Sequence, residues 1–298
     1  MTTRIYHHPE IFLHDAEAAH VAMAHDRISQ IFEAVAGVPG VELVEAEAAT
    51  LEQIQRNHEP EFIANLIART PTEEGQSYRI DGETILNRHT WRAMELSAGA
   101  ACQAVDAVID GEATNAFCPV YAGHHAKYNH ASGFCFINSI AIAAHHALSR
   151  GLTRVAILDI DTHSGNGTVL SFLDSPNVLF AETYQEGYPG SFLPGYVPAN
   201  VHRRRVAAPY QFREAWADLL TTVRAFEPEL ILVSAGFDAH MNDPLGLINL
   251  LDQDYTQIAR DILSISPNVV ACLEGGYDVP TTGRCAALFV QELTGASA

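Results

Sequence analysis

Hydrophobic residues along this chain occur in two recurrent patterns. Short continuous apolar runs are typical of strands buried on both faces of a sheet, whereas apolar residues recurring every three or four positions are typical of amphipathic helices. The continuous runs lie at 116–120, 155–160, 178–181, 230–235 and 269–273. Because helix-like segments separate these runs, the pattern predicts an α/β fold with a largely parallel multi-stranded sheet and helices on both faces.

The helix-like segments have recognisable beginnings and ends. One starts at Asp26 and is stopped by Pro39 and Gly40, and another starts at Thr50, with Gln53 in the capping-box position. Longer helices are predicted over 91–109, 138–148, 212–226 and 254–265. No repeat, low-complexity block or linker-like stretch divides the 298 residues, so we predict a single domain over residues 1–298.

Residues 155–167 form the stretch around which the rest of the chain is organised. An apolar run carries two carboxylates and an imidazole at alternate positions, which indicates a buried strand with polar groups at its carboxyl end. Because side chains alternate along a strand, Asp159, Asp161 and His163 are expected on one face, where they could bind one cation. The alternative is an ordinary strand end with an acidic helix cap and an unrelated histidine.

Further polar residues follow the other predicted strands. Ligands of α/β sheets bind outside the carboxyl ends of the strands, so side chains at these positions are expected to converge. They are His124, His125, Glu182, Asp238 and Tyr277. Asp161, His163 and Asp238 would give a divalent cation one nitrogen and two carboxylate oxygens and leave a position open for water. A cation bound in this way polarises a carbonyl and lowers the pKa of water, so this set predicts hydrolysis.

The remaining polar residues fit the same chemistry. The adjacent His124 and His125 could serve as base for the attacking water and acid for the leaving group. Tyr277 follows two glycines, which let the backbone approach closely, and its hydroxyl could stabilise a developing oxyanion. The sequence contains no Gly-x-Ser-x-Gly elbow or paired Cys/His signature that would indicate a nucleophilic mechanism instead.

The chain is strongly acidic, with a formal net charge of −19 and a single lysine, Lys127. Such a charge argues against a nucleic-acid partner, which would need clustered lysine and arginine, and the cluster at 203–205 is too short to supply that surface. An acidic surface attracts cationic substrates, and it equally serves general solubility or a salty habitat.

The sequence contains no basic-then-apolar leader and no stretch of about 18 consecutive apolar residues. We therefore expect a soluble, cytoplasmic protein with no membrane partner. Its five cysteines are odd in number, have no Cys-x-x-Cys spacing and lie mostly in apolar runs. Reduced core thiols are expected rather than disulfides or a thiolate metal site.

Five motifs, in order along the chain, point to a known family. They are Gly-His-His-Ala at 123–126, Gly-Phe-Cys at 133–135, Asp-Ile-Asp-Thr-His-Ser-Gly-Asn-Gly at 159–167, Ser-Ala-Gly-Phe-Asp-Ala-His at 234–240 with Asp-Pro-Leu-Gly at 243–246, and Glu-Gly-Gly-Tyr at 274–277. With these motifs the chain resembles the histone deacetylase family, which has the arginase/deacetylase fold.

The resemblance implies one catalytic zinc ion and the residues that surround it. The implied ligands are Asp161, His163 and Asp238. His125 would be the general base and acid, with His124 as its electrostatic neighbour and Tyr277 polarising the carbonyl. Asp159 would orient His124. It would also help to hold a structural potassium ion, together with the backbone carbonyls of Asp161 and His163.

The resemblance also implies a substrate channel. Phe134 and Tyr188 would line the two sides of an acyl-lysine channel, with Leu245 at its edge. Arg27 would lie beneath the zinc ion, near an exit for acetate.

Several positions near the implied metal depart from the common family pattern, among them Tyr121-Ala122 in place of Pro-Pro before the histidine pair and Ser164 where the family often has a second histidine. Asn166 is a neutral partner for His125 where some members have aspartate, so the basicity of His125 and the pH optimum are expected to shift. Glu182 stands where the family commonly has serine, which leaves open whether it strengthens the potassium site or fills it differently.

These features predict a zinc-dependent amide hydrolase that removes an acetyl or related acyl group from an N-acyl-lysine side chain. One alternative is deacetylation of small N-acetylated amines such as acetylpolyamines, and another is a catalytically silent acyl-lysine-binding module. A binuclear manganese ureohydrolase of the same fold is disfavoured, because Gly165 and His240 stand where a second metal would need aspartate. The acyl length and the oligomeric state stay open at this stage.

Overall fold

The computed structural model describes residues 2–14, 26–186 and 197–295. The strands in these ranges are β1 Thr3–His7, β2 Val41–Glu45, β3 Tyr78–Arg79, β4 Ile85–Leu86, β5 Asn115–Cys118, β6 Val155–Asp159, β7 Val178–Tyr184, β8 Val201–Arg205, β9 Leu230–Ala235 and β10 Val269–Leu273. The helices are α1 Arg27–Ala36, α2 Leu51–Gln55, α3 Pro60–Arg69, α4 Thr90–Ile109, α5 Ser139–Ser149, α6 Asn166–Ser171, α7 Pro209–Phe226, α8 Asp252–Leu263 and α9 Val279–Thr294, and a 3-10 helix covers Pro9–Leu13.

Eight of the strands form one sheet in the order β2-β1-β5-β10-β9-β6-β7-β8. Every neighbouring pair in this sheet is parallel, which confirms the predicted parallel α/β architecture. The other two strands, β3 and β4, form a separate antiparallel pair. Because all eight strands of the large sheet run the same way, their carboxyl ends lie along one edge. Most of the predicted polar residues follow the strands at that edge, whereas Glu182 lies within β7, which extends to Tyr184.

The central strands β5, β6, β9 and β10 are buried along their whole length. This burial explains their continuous apolar sequence, since both faces of each strand are covered. The helices that flank the sheet form two packed groups, one containing α4 and α5 and the other α1, α8 and α9. In the described ranges no helix combines the length and the apolar character needed to cross a membrane.

Several elements were not predicted from the sequence pattern. The edge strands β2 and β8 carry polar residues because each has a neighbour on one side only, so neither shows a continuous apolar run. Helix α9 contains Gly283 in its second turn, which lowers its intrinsic helix propensity. Packing against α1 and α8 compensates for that low propensity.

Candidate metal and acid-base site

Three side chains at the carboxyl edge of the sheet meet at one point. Asp161 and His163 follow β6, and Asp238 follows the adjacent strand β9. One ligand atom from each residue lies within 4.8 Å of the other two, and all three residues are buried. The His163 Nδ1 lies 3.2 Å from an Asp161 oxygen and 3.0 Å from an Asp238 oxygen. This group, here called the Asp-His-Asp cluster, offers one nitrogen and two carboxylate oxygens, which is a donor set that suits zinc.

Glycine backbone packs directly against the carboxylates of the cluster. A Cβ at Gly236 would lie 2.4 Å from Asp161 Oδ2, and a Cβ at Gly275 would lie 2.4 Å from Asp238 Oδ2. The N–H of Gly275 donates a 2.8 Å hydrogen bond to Asp161. Any larger residue at these two positions would displace the carboxylates, so the glycines are needed for the shape of the cluster.

Burial and mutual contact strongly perturb the three ionisable groups. Burial raises the pKa of Asp238 to about 7, and the nearby Asp161 charge adds to the rise. Burial also acts to raise the pKa of Asp161, but His124 and His163 outweigh it and hold this pKa below its usual range. The pKa of His163 rises to about 10, because hydrogen bonds to both carboxylates outweigh its burial. Two buried carboxylates in contact thus need positive charge between them, which a divalent cation would supply.

The two adjacent histidines have different partners. His124 Nδ1 lies 3.0 Å from Asp159 Oδ2, whereas His125 Nδ1 lies 2.7 Å from the amide oxygen of Asn166. Both imidazoles are buried, with ring centroids 4.1 Å apart, and the His125 ring centroid is 6.1 Å from that of His163. The pair therefore borders the Asp-His-Asp cluster.

These partners separate the pKa values of the two histidines. Burial acts to lower the pKa of His124, but the Asp161 and Asp159 carboxylates outweigh it and raise this pKa well above the ordinary value. The pKa of His125 falls well below the ordinary value through burial and the charge of His124, and its hydrogen bond to Asn166 only partly opposes this. One histidine is thus held charged and the other neutral, a division typical of paired acid and base residues.

Tyr277 stands on the loop after β10 with its hydroxyl protonated at ordinary pH, because burial raises the pKa of the phenol well above 10. The guanidinium of Arg27 lies 5.4 Å from the centre of the Tyr277 ring. Arg27 also donates hydrogen bonds to the backbone carbonyls of Gly276 and Glu274. The predicted oxyanion donor and the predicted exit residue are therefore in contact.

A tight turn places the predicted channel residue Phe134 beside Tyr277. Gly133 and Phe134 have φ angles of +59° and +64°, and two 3.0 Å backbone hydrogen bonds join Ser132 and Cys135 on either side of them. Positive φ at both central residues defines the tight hairpin turn of type I′. The Phe134 ring centroid lies 6.1 Å from that of Tyr277. Phe134 therefore accepts an unfavourable backbone conformation in order to face the site.

Of the other two predicted channel residues, the structure describes Leu245 but not Tyr188. Leu245 is held by its backbone: its N–H donates to Asp243 and its carbonyl accepts a 2.9 Å hydrogen bond from Gln185. Tyr188 lies outside the described residues.

Two buried acids at the site were not assigned a role from the sequence. The Glu274 carboxylate accepts the N–H groups of Gly123 and His124 at 2.6 and 3.1 Å, and burial raises its pKa to about 8. Asp243 accepts the N–H of Tyr277 at 2.7 Å and that of Leu245 at 2.9 Å. Each acid thus fixes the backbone of residues implied in the chemistry. The sequence did contain a signal for each acid, because Glu274 directly follows a strand and Asp243 begins the Asp-Pro-Leu-Gly motif.

A second group of possible ligand atoms is formed by His240, Asp252 and Cys285. Arg284 already binds both oxygens of Asp252, at 2.6 and 3.0 Å. The two ring nitrogens of His240 face Asp252 and the backbone N–H of Asn242. The carboxylate thus has a positive partner, and both ring nitrogens of His240 are engaged within this second group and its neighbouring backbone.

Comparison with known proteins is consistent across sequence and structure. The histone deacetylase domain matches residues 20–293 of this chain. Histone deacetylase 14, chloroplastic, of Arabidopsis thaliana is 31% identical over 281 residues, covering 86% of this chain and 66% of that protein. Acetylpolyamine amidohydrolase of Mycoplana ramosa is 35% identical over 234 residues, covering 72% and 67% respectively. The crystal structure of the HDA15 HD domain matches with a TM-score of 0.91 and 25% sequence identity, covering 99% of this chain and 90% of that one.

Proposed function

This chain belongs to the histone deacetylase family, and we propose that it is a zinc-dependent deacetylase that removes an acetyl or related acyl group from an N-acyl-lysine side chain. The observation that carries the proposal is the Asp-His-Asp cluster beside a histidine pair with separated pKa values. Tyr277 adds a protonated hydroxyl on the loop that packs against the cluster.

The residues of the cluster fit a zinc ion. Its donor atoms are two carboxylate oxygens and one imidazole nitrogen, and the glycine backbone leaves the carboxylates no room to turn away. Asp161, His163 and Asp238 would hold the metal. When bound, zinc would polarise the acyl carbonyl and lower the pKa of water.

The proton transfers fall to His125, and His124 beside it serves as a fixed positive charge. Because Nδ1 of His125 faces the amide oxygen of Asn166, the Nδ1 proton points at that oxygen, and Nε2 is the ring nitrogen that would accept a proton from water. His125 then carries that proton to the leaving amine. His124, held cationic by Asp161 and Asp159, offsets negative charge as it develops. The Tyr277 hydroxyl donates to the acyl oxygen.

Two positions in the described part of the chain argue against the ureohydrolase alternative. A Cβ at Gly165 would lie 2.2 Å from Asp159 Oδ2, so no carboxylate side chain fits there. His240 is engaged by Asp252. These contacts favour a single catalytic metal. The silent binding-module alternative is disfavoured because both histidines and Tyr277 are in place around the cluster.

Acetylpolyamines are the second candidate substrate class. The formal charge of −19 suits a cationic substrate of either kind, and one of the relatives is an acetylpolyamine amidohydrolase.

A cytoplasmic setting, as expected from the sequence, is supported by the five cysteines, all of which are buried thiols.

The test is release of acetate or acylate from a panel of acetyl-lysine peptides, longer acyl-lysine peptides and acetylpolyamines, with zinc-loaded and chelated protein. Asp238→Asn should lose both zinc and turnover, whereas Asp218→Asn, the same change on an exposed aspartate of α7, should keep both. Preferred cleavage of acetylpolyamines would select the second candidate. Absence of chelator-sensitive cleavage across the panel, with zinc bound, would refute the proposal.

A further inference from the structure

A buried carboxylate lies beside the loop that carries the metal-site residues. Glu182 is fully buried in β7, in register with Asp159 of β6. Its two oxygens accept hydrogen bonds from the Ser164 hydroxyl at 3.1 Å and from the Gly165 N–H at 2.8 Å. Glu182 thereby holds the turn between the cluster residue His163 and the start of α6.

The positive partner of Glu182 comes from the next strand. Arg203 stands opposite Glu182 in the parallel register of β7 and β8, and its Nε donates to a Glu182 oxygen. Its Nη2 donates to the Ser164 hydroxyl oxygen at 2.5 Å, and its guanidinium lies 4.6 Å from the centre of the Tyr184 ring. The Arg203 side chain is only 10% exposed. The guanidinium is therefore fixed on three sides.

This arrangement does not fit the potassium ion that the family resemblance implies beside Asp159. The place next to Ser164 and Glu182 is taken by a guanidinium, whose positive charge would repel a second cation bound beside the same carboxylate. A buried carboxylate needs a buried positive charge, and here the chain provides it. The planar guanidinium donates directional hydrogen bonds to two acceptors at once, whereas a potassium ion attracts oxygen atoms without such directionality.

We propose that Arg203 is the permanent counter-cation of this metal site and a positioning residue for it, so that the protein needs no potassium. Only the deacetylation measurement in the test depends on the proposed function, because zinc affinity and thermal stability can be measured without a substrate. Arg203 and Glu182 contact Ser164 and Gly165, and so they hold residues 163–166 in place. This segment begins with the cluster residue His163 and ends with Asn166, the partner of His125.

The test compares the full chain in potassium chloride and choline chloride at equal ionic strength. The readouts are the thermal midpoint, zinc affinity by competition with a chelating dye, and deacetylation. For the unchanged protein, all three should be the same in both salts. Arg203→Ala should weaken zinc binding by about 10-fold, the lower end of the effect of losing a direct partner of a metal ligand, because Arg203 acts on His163 only through Glu182 and Ser164. Its zinc affinity should then be higher in potassium chloride than in choline chloride.

Two further variants test whether the effect depends on the buried position of Arg203 and on its positive charge. Arg205→Ala removes an arginine from the same face of β8, but its side chain is 59% exposed, so zinc affinity and salt response should not change. Arg203→Lys keeps the charge but cannot bond both acceptors in the same geometry, so its zinc affinity should fall less than that of Arg203→Ala and should show no potassium response. If Arg203→Ala does not fold, the unchanged protein and Arg203→Lys still decide the matter.

Saturable stabilisation of the unchanged protein by potassium over choline would overturn the inference. Equal behaviour of Arg203→Ala and Arg205→Ala would overturn it as well. A protein that binds zinc and shows the expected salt responses, yet cleaves no acylated amine, would refute the proposed function and leave the role of Arg203 supported.

Discussion

Asn166→Asp would place a carboxylate against the histidine proposed as general base. Asn166 is buried on the first turn of α6, and its amide oxygen lies 2.7 Å from Nδ1 of His125. Two unit charges about 4 Å apart interact by about 4 kcal/mol at an effective dielectric constant of about 20. That energy corresponds to about 3 pKa units. Because burying the new carboxylate costs part of it, we expect the pKa of His125 to rise by about 1–2 units.

The sign of the effect follows from the role of His125. A general base works only when neutral, so raising its pKa moves the acidic limb of the pH profile of kcat/KM to higher pH. We therefore expect Asn166→Asp to lose activity at low pH, with the acidic midpoint shifted up by about 1–2 pH units. The assay is kcat/KM for an acetyl-lysine peptide over a pH series, with zinc content measured in parallel.

Asn65→Asp is the matched control, because it makes the same charge change on an exposed position of α3. Its acidic midpoint should coincide with that of the unchanged protein. An unshifted acidic limb in Asn166→Asp, with full zinc content, would refute the assignment of His125 as the base.

Three other outcomes are expected. Tyr277→Phe should lower kcat by about 10²–10³-fold while zinc stays bound, as loss of an oxyanion donor does, and near-normal turnover would contradict its role. Gly275→Ala should abolish zinc binding, because its Cβ would lie 2.4 Å from a carboxylate oxygen of the Asp-His-Asp cluster. Gly82→Ala, whose Cβ would have no atom within 4 Å, should bind zinc normally. Equal zinc affinity in the two variants would contradict the need for glycine beside the cluster. His14 and His58 have pKa values lowered to about 4 by burial. The unfolded chain therefore binds more protons below pH 6.5, and urea unfolding should show about 2 kcal/mol of stability lost per histidine between pH 6.5 and 5, an effect that His58→Gln should reduce.

The location of the candidate site at one edge of the sheet could be predicted from the sequence because it depends on local patterns. Continuous apolar runs identified β5, β6, β9 and β10 as buried strands, and in a parallel sheet all carboxyl ends lie at one edge whatever the strand order. The alternation of side chains after β6 placed Asp161 and His163 on one face without knowledge of the fold. The apolar pattern was less informative at the sheet edges, where β2 and β8 are polar.

The partners of these residues were decided by the tertiary structure alone. Glu274 meets the N–H of Gly123, which is 151 positions away in sequence, because β10 and β5 are neighbours in the sheet. Glu182 meets Arg203 because β7 and β8 pair in a register that sets the two residues opposite each other. Strand order and register result from the packing of the whole chain, so a local pattern can reveal which side chains are chemical but not which charges they will face.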